Sequence, residues 1–158
     1  MWQRSWVDAV DRLDHADEPY RLIQNAGLGQ LLQGTREWRD YRVSADLTPH
    51  LADAVGLAAR VQGLERGYLL ELVGRHRIRL VKRWHGETEL ASSPFAWAYG
   101  TTYTLALEVR GPVIRGWVDG RLVADVMDED TRLRDGAVAL TVRNGRSATT
   151  AVSVSPAG

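Results

Sequence analysis

The stretch from Thr102 to Asp128 holds three alternating segments separated only by Gly111-Pro112 and Asp119-Gly120, and it constrains the fold more than any other part of the chain. Tyr103, Leu105, Leu107 and Val109 share one face of the first segment. Successive side chains leave a pleated strand on opposite sides, so this alternation marks a strand buried on one face. Asp-Gly between two such runs signals a two-residue hairpin, whose turn needs positive φ at both central residues. Three antiparallel strands with one apolar face must bury it against something. The first half of the chain offers a second meander for that purpose, over 54–61, 67–73 and 77–84.

In that second meander Val55, Leu57 and Ala59 fall on one side, as do Tyr68, Leu70 and Leu72 on the next strand and Ile78 and Leu80 on the third. This predicts the core face. The opposite face then carries Ala58, Arg60, Leu69, Glu71, Arg79 and Val81. Further strands are predicted at 6–10, at 20–24 and 29–33 around a turn at Asn25-Ala26-Gly27, and at 38–47, where Tyr41, Val43, Ala45 and Leu47 point one way and Arg42, Ser44 and Asp46 the other, ended by Thr48-Pro49. Others follow at 87–91, before a turn at Ser92-Ser93-Pro94, and at 136–142 and 148–154. About a dozen short strands without a helical period, apart from one helical turn over 128–135, predict an all-β fold. The expected architecture is a two-sheet antiparallel jelly-roll sandwich, one domain over 1–158.

A chain of 158 residues can bury about two-thirds of its unfolded surface without covalent staples. The absence of cysteine excludes disulfides, thiolate metal sites and cysteine nucleophiles, and favours a reducing, cytoplasmic setting. Twenty basic residues, of which only Lys82 is a lysine, balance twenty acidic ones. No net field draws the domain to nucleic acid or an anionic membrane, and neither is an expected partner. No apolar run reaches the roughly 20 residues that span a bilayer. The opening Met-Trp-Gln-Arg-Ser-Trp reads as the middle of a longer chain, which predicts a C-terminal domain of a larger protein.

The segments Trp-Arg-Asp-Tyr-Arg-Val-Ser-Ala-Asp-Leu (38–47), Val-Gly-Leu-Ala-Ala-Arg (55–60), Gly-Tyr-Leu-Leu-Glu-Leu (67–72), Arg-Leu-Val-Lys-Arg (79–83) and Trp-Val-Asp-Gly-Arg-Leu (117–122) resemble concanavalin A-like lectin/glucanase domains. The likeness covers most of the chain from Tyr20 onward. It implies the sandwich and leaves the activity open, since lectins, carbohydrate-binding modules, laminin-G-like domains and glycosidases share this fold. A narrower likeness is to the C-terminal sandwich of bacterial ADP-ribosylglycohydrolase proteins. Ser-Trp-Val-Asp-Ala-Val-Asp (5–11), Tyr-Arg-Leu-Ile-Gln-Asn (20–25) and Gln33-Gly34-Thr35 carry it. This implies an accessory domain fused to a catalytic one, because the hydrolase's own acid-rich metal site has no counterpart in the sequence.

A glucanase on this fold would need Glu-x-Asp-x-x-Glu on one strand, to place an acid and a nucleophile about 5 Å apart. That pattern is absent. His15, His50, His76 and His85 are scattered, no Gly-x-Ser-x-Gly elbow exists, and the glycines fit no phosphate loop. No cofactor is expected beyond calcium, which occurs in some relatives and for which Asp128, Asp130 and Asp135 could supply hard oxygens.

The candidate ligand-binding residues are Arg42, Arg60, Glu71, Arg79 and Trp84. Arg60, Glu71 and Arg79 are expected as cross-strand neighbours on the face opposite the core, with Arg42 and Asp46 adjoining and Ala58, Leu69 and Val81 as floor. Guanidinium forks pair with hydroxyls or phosphates, and Trp84, at a hairpin tip, would supply a stacking plane. The same charges are equally the ordinary ion pairs of a solvated sheet. The leading expectation is a non-catalytic domain that binds a glycan or an ADP-ribose-like molecule. The alternatives are a glycoside hydrolase using Glu71, Asp46 or Glu108, and a structural module burying the Leu69/Val81 face against a partner domain.

Overall fold

A computed structural model describes residues 7–9, 12–14, 20–33, 38–63 and 65–157. Its strands are β1 (Val7–Ala9), β2 (Arg12–Asp14), β3 (Tyr20–Gln33), β4 (Tyr41–Leu51), β5 (Ala54–Val61), β6 (Arg66–Val73), β7 (Arg77–Trp84), β8 (Glu87–Pro94), β9 (Tyr103–Arg110), β10 (Val113–Val118), β11 (Arg121–Met127) and β12 (Ala137–Pro156). A 3-10 turn at Thr131–Leu133 sits in the stretch expected to form one helical turn.

Among the described residues every strand pairing is antiparallel. The order β11-β10-β9-β4-β12-β5-β6-β7-β8 folds into two layers at β12. Residues 137–143 of β12 pair with β5, whereas 146–156 pair with β4. One strand therefore belongs to both sheets. The first sheet is β11-β10-β9-β4 with the C-terminal half of β12, and the second is the N-terminal half with β5-β6-β7-β8. β3 runs beside β12 in both, and β1 and β2 pair with β3.

This continuity corrects the sequence reading at two places. Segments 20–24 and 29–33 form one strand, as do 136–142 and 148–154. Asn144-Gly145, a dipeptide that suits hairpin turns, is here a bulge: Asn144 has φ +47 and the β3 register slips between Arg143 and Gly145. A β-carbon on Gly145 would strike the carbonyl oxygen of Leu51, so only glycine fits this corner. Asn25-Ala26-Gly27 lies opposite the bulge, and both strands bend there to cross between layers. Ser92-Ser93-Pro94 likewise continues β8 instead of ending it, which an edge strand allows because proline's missing N–H faces no partner.

The core faces are as the alternation predicts. Tyr41, Val43, Ala45 and Leu47 of β4 and Tyr103, Leu105, Leu107 and Val109 of β9 meet Val55, Leu57, Ala59, Tyr68, Leu70, Leu72, Ile78 and Leu80. Gly116 of β10 lies so close to Leu70 of β6 that a β-carbon there would sit 2.9 Å from the leucine Cδ1, which shows how tightly the two layers pack. Asp119 and Gly120 adopt φ +49 and +80, the hairpin geometry expected of them. Among the described residues no helix is long and apolar enough to cross a membrane.

Candidate ligand-binding face

The outer face of the second sheet carries two rows of different chemistry. Thr141, Gly56, Glu71 and Arg79 stand in register across β12, β5, β6 and β7. In the next row Ala139, Ala58, Leu69 and Val81 do the same, and with Val61 they form a small second apolar cluster. Leu69 is 1% exposed and Val81 0%. The apolar row is thus already buried within the chain, not an open floor, which removes the observation behind a module that buries this face against a partner domain.

In the polar row, Gly56 makes room for its neighbour: a β-carbon there would lie 2.8 Å from the Glu71 Cβ. The Glu71 side chain, 1% exposed, sinks between two guanidiniums, with Arg79 Nε donating to Oε2 at 2.7 Å and Arg143 Nε donating to Oε1 at 2.8 Å. Both carboxylate oxygens are engaged and the side chain is buried, so Glu71 is closed to a substrate. Further out, Glu87 accepts from Arg143 Nη2 and lies 3.7 Å from Arg79 and 3.6 Å from Arg83, while Glu89 pairs with Arg77 at 2.6 Å. Burial would lower the pKa of Arg143, but the Glu71 and Glu87 carboxylates outweigh it and hold the guanidinium above its ordinary value. Burial wins at Arg83, aided by the Arg143 cation, and its pKa is lowered.

Arg60 does not belong to this face. It sits at φ +51 where the pairing of β12 with β5 slips between Ala137 and Ala139. The bulge reverses the alternation, so Val61 takes the outward position beside Ala58 and Leu69, and Arg60 turns inward to 1% exposure. There its Nε donates to the Arg39 carbonyl (3.1 Å), Nη1 to the carbonyls of Gly111 (2.7 Å) and Leu133 (3.3 Å), and Nη2 to Asp40 Oδ1 (3.2 Å). It is a structural clasp with no contact to offer a ligand.

Arg42 and Asp46 are on the outer face of the other sheet, where Arg42 lies 4.4 Å from the Trp117 ring centroid and Asp46 accepts from the Thr104 hydroxyl at 2.6 Å. Glu108 is in register with Arg42 there. The three acids weighed for a hydrolase, Glu71, Asp46 and Glu108, therefore do not converge. Trp84 is not an open stacking plane either: it packs against the main core, and Arg66 and Arg132 lie over its ring at 4.5 and 4.4 Å.

The acids considered for calcium meet a cation of the chain itself. Lys82 Nζ stands 2.7 Å from Asp128 and 2.8 Å from Asp130, Tyr68 donates to Asp128 at 2.7 Å, and Arg132 closes on Asp130. Asp135 accepts from Gln62, away from the pair. An ammonium thus occupies the position between the carboxylates that a divalent ion would need. Among the described residues no group of three or more acidic or histidine side chains is arranged to hold a metal.

Of the sequence candidates, the structure brings together Glu71 and Arg79 and separates Arg42, Arg60 and Trp84 from them. Arg143, Arg83, Glu87 and Thr141 were missed. Alternation 77/79/81/83 on β7 would have found Arg83, and 139/141/143 on β12 would have found Thr141 and Arg143 had that strand been read one residue further.

No family model matches the chain, and no curated protein matches it. Solved structures do. The carbohydrate binding module CBM66 from Bacillus subtilis superposes with a TM-score of 0.82 at 20% identity, covering 95% of this chain and 94% of the module. A sialidase matches with a TM-score of 0.72 at 14% identity over 98% of this chain but only 17% of its own. The alginate lyase AlgAT5 of polysaccharide lyase family 7 matches at 0.66 and 11% over 96% of this chain and 94% of its own. The fold is a concanavalin A-like sandwich, and at these identities the likeness extends to the fold alone.

Proposed function

We propose that this chain is a non-catalytic carbohydrate-binding domain whose ligand-contacting surface is the charged row on the outer face of the second sheet. The observation that carries this is the placement of Arg79 and Arg143 by the buried Glu71. A carboxylate that is itself inaccessible fixes two guanidinium planes, which remain 18% and 22% exposed. Rigid forks of this kind bind hydroxyl-rich ligands without first losing side-chain entropy. Likeness in fold to a carbohydrate binding module supports the reading, and so does the engagement of Glu71, which argues against acid–base catalysis here.

The domain would serve a catalytic partner in the same polypeptide, and the resemblance noted in the sequence makes an ADP-ribosylglycohydrolase the partner of choice. The sialidase shows that a sandwich of this size can occupy a small part of a much longer chain. A glycan array including ADP-ribose, probed with wild type and Arg79→Ala, tests the binding. Retention on a saccharide, weakened by roughly 1.5–3 kcal/mol in the variant as for a lost charge-assisted hydrogen bond, is expected. Absence of any saccharide binding would sink the reading, and a parent reading frame without an enzyme would remove the fusion.

A further inference from the structure

Beside the apolar row, towards Gly67 and Arg83, lies a small pocket lined by Ala58, Val61, Leu69 and Tyr68 on its apolar side and by Thr141, Arg83 and Arg66 on its polar side, with room of about 10 Å³, enough for one water-sized group. Its polar side offers one buried group without a hydrogen-bond partner, Thr141, and one partly accessible cation, Arg83. Thr141 is 2% exposed, and its Oγ1 has no hydrogen-bond partner. Arg83 is 15% exposed, and among the described residues it pairs with Glu87 at 3.6 Å, beyond hydrogen-bond distance. A buried hydroxyl left without a partner is uncommon in native proteins, and a water or an ion that completes it is one explanation. The sign of that group follows from the lining: among the described residues it holds two arginines and no acid. Around it, Arg77, Arg79, Arg83 and Arg143 outnumber Glu71, Glu87 and Glu89. A water could satisfy Thr141 but would bring no charge to Arg83, and Glu71, the nearest buried carboxylate of the row, is already shared by Arg79 and Arg143.

We propose that this pocket is the specificity pocket of the face, taking a single oxygen of the carboxylate or phosphate of an acidic saccharide, between Arg83 and the Thr141 hydroxyl, while the rest of that group stays outside it. The proposal rests on the glycan-binding reading above and deepens it. Arg83 supplies the charge and the fork, and Thr141 orients one oxygen. The remainder of the sugar lies over the exposed edge of Arg79, Arg143 and Glu87. The lowered pKa of Arg83 agrees with this, since burial leaves the cation short of compensating charge until a ligand brings it.

Calorimetric titration of the whole chain with three probes tests it: tetragalacturonate, its carboxyl-reduced neutral counterpart, and ADP-ribose. Wild type should bind one of the two anionic probes at least about tenfold more tightly than the neutral one, the worth of a charge-assisted contact. Preference for tetragalacturonate identifies the group as a carboxylate, and preference for ADP-ribose identifies it as a phosphate. In Arg83→Gln the preference should collapse to within about twofold with neutral binding retained, whereas Arg83→Lys keeps part of it. Thr141→Val should weaken the anionic probe about fivefold and yet melt no lower than wild type, because the hydroxyl it removes is unpaired in the free protein. Equal affinity for neutral and acidic probes in wild type, or a preference that survives in Arg83→Gln, overturns the pocket while leaving the glycan-binding face intact. Binding of none of the probes, with no hit on the array, overturns the face itself.

Discussion

Arg60 shows how one backbone dihedral decides a residue's role. At φ +51 its side chain leaves the outer face and ties together three separate loops through the carbonyls of Arg39, Gly111 and Leu133 and the carboxylate of Asp40, which also accepts from the Gly111 N–H at 2.9 Å. Arg60→Met keeps most of the volume but strands those acceptors. It should lower unfolding free energy by roughly 2–4 kcal/mol in urea titrations, the range for leaving several polar groups unmet. A loss under about 0.5 kcal/mol would mean that the guanidinium is solvated. Lys82 makes the opposite kind of cluster, a cation between acids near the surface. Its pKa is raised, because the hydrogen bonds to Asp128 and Asp130 outweigh burial; those of Asp128 and Asp130 are lowered by the same contacts, with Arg132 foremost at Asp130. A depressed carboxylate stabilises the fold above its unfolded pKa and loses that contribution as pH falls through its folded value. Melting temperature should therefore be flat from neutral pH down to about pH 4, near the ordinary carboxylate value, and decline below it. Asp128→Asn should flatten that decline, and parallel melting curves for the two proteins would deny the cluster its role.

At the scale of elements, the contrast between two similar dipeptides explains what was legible. Asp119-Gly120 and Asn144-Gly145 both announce a turn, and only the first makes one. The difference is not local. Asn144 donates to Asp53 Oδ2 at 2.7 Å and Gly145 abuts Leu51, so the bulge is fixed by the β4–β5 connection, over 90 residues away in sequence. Period-two patterning recovered the core faces of β4, β5, β6, β7 and β9 because each strand's alternation is its own property. It could not report that β3 and β12 pass through both sheets, nor that a bulge at Arg60 inverts the face beyond it. The site was half legible for the same reason: Glu71 and Arg79 are adjacent on one hairpin, whereas Arg143 reaches Glu71 from a strand that pairs with neither. Gly145→Ala should cost more than about 3 kcal/mol or abolish folding, since the clash is with backbone that cannot move without breaking the corner. Circular dichroism and melts of the variant check this, and a stable, native-like Gly145→Ala protein would mean that the corner is adaptable.

For the whole molecule, the division of labour is between an inner layer that stabilises and an outer row that is free to bind. The two-sided core is continuous from β4 and β9 across to β7, so removing a central side chain such as Leu70 should cost about 2–5 kcal/mol, while the half-exposed pair Arg77–Glu89 at the edge of the charged row contributes only about 0–1 kcal/mol. Binding then becomes visible as global stabilisation. A saccharide that engages only the folded face, present at a hundred times its Kd, should raise unfolding free energy by about 2.7 kcal/mol, which for a domain of this size is a melting shift of roughly 5–10 °C. Arg79→Ala should melt below wild type without ligand, because it leaves the buried Glu71 with Arg143 as its remaining cation, and should also lose much of the ligand-induced shift; raising the salt concentration should shrink the shift in wild type if the bound group is anionic. A ligand that shifts both proteins equally binds elsewhere, and the Trp117–Arg42 surface of the first sheet would then be the next face to vary.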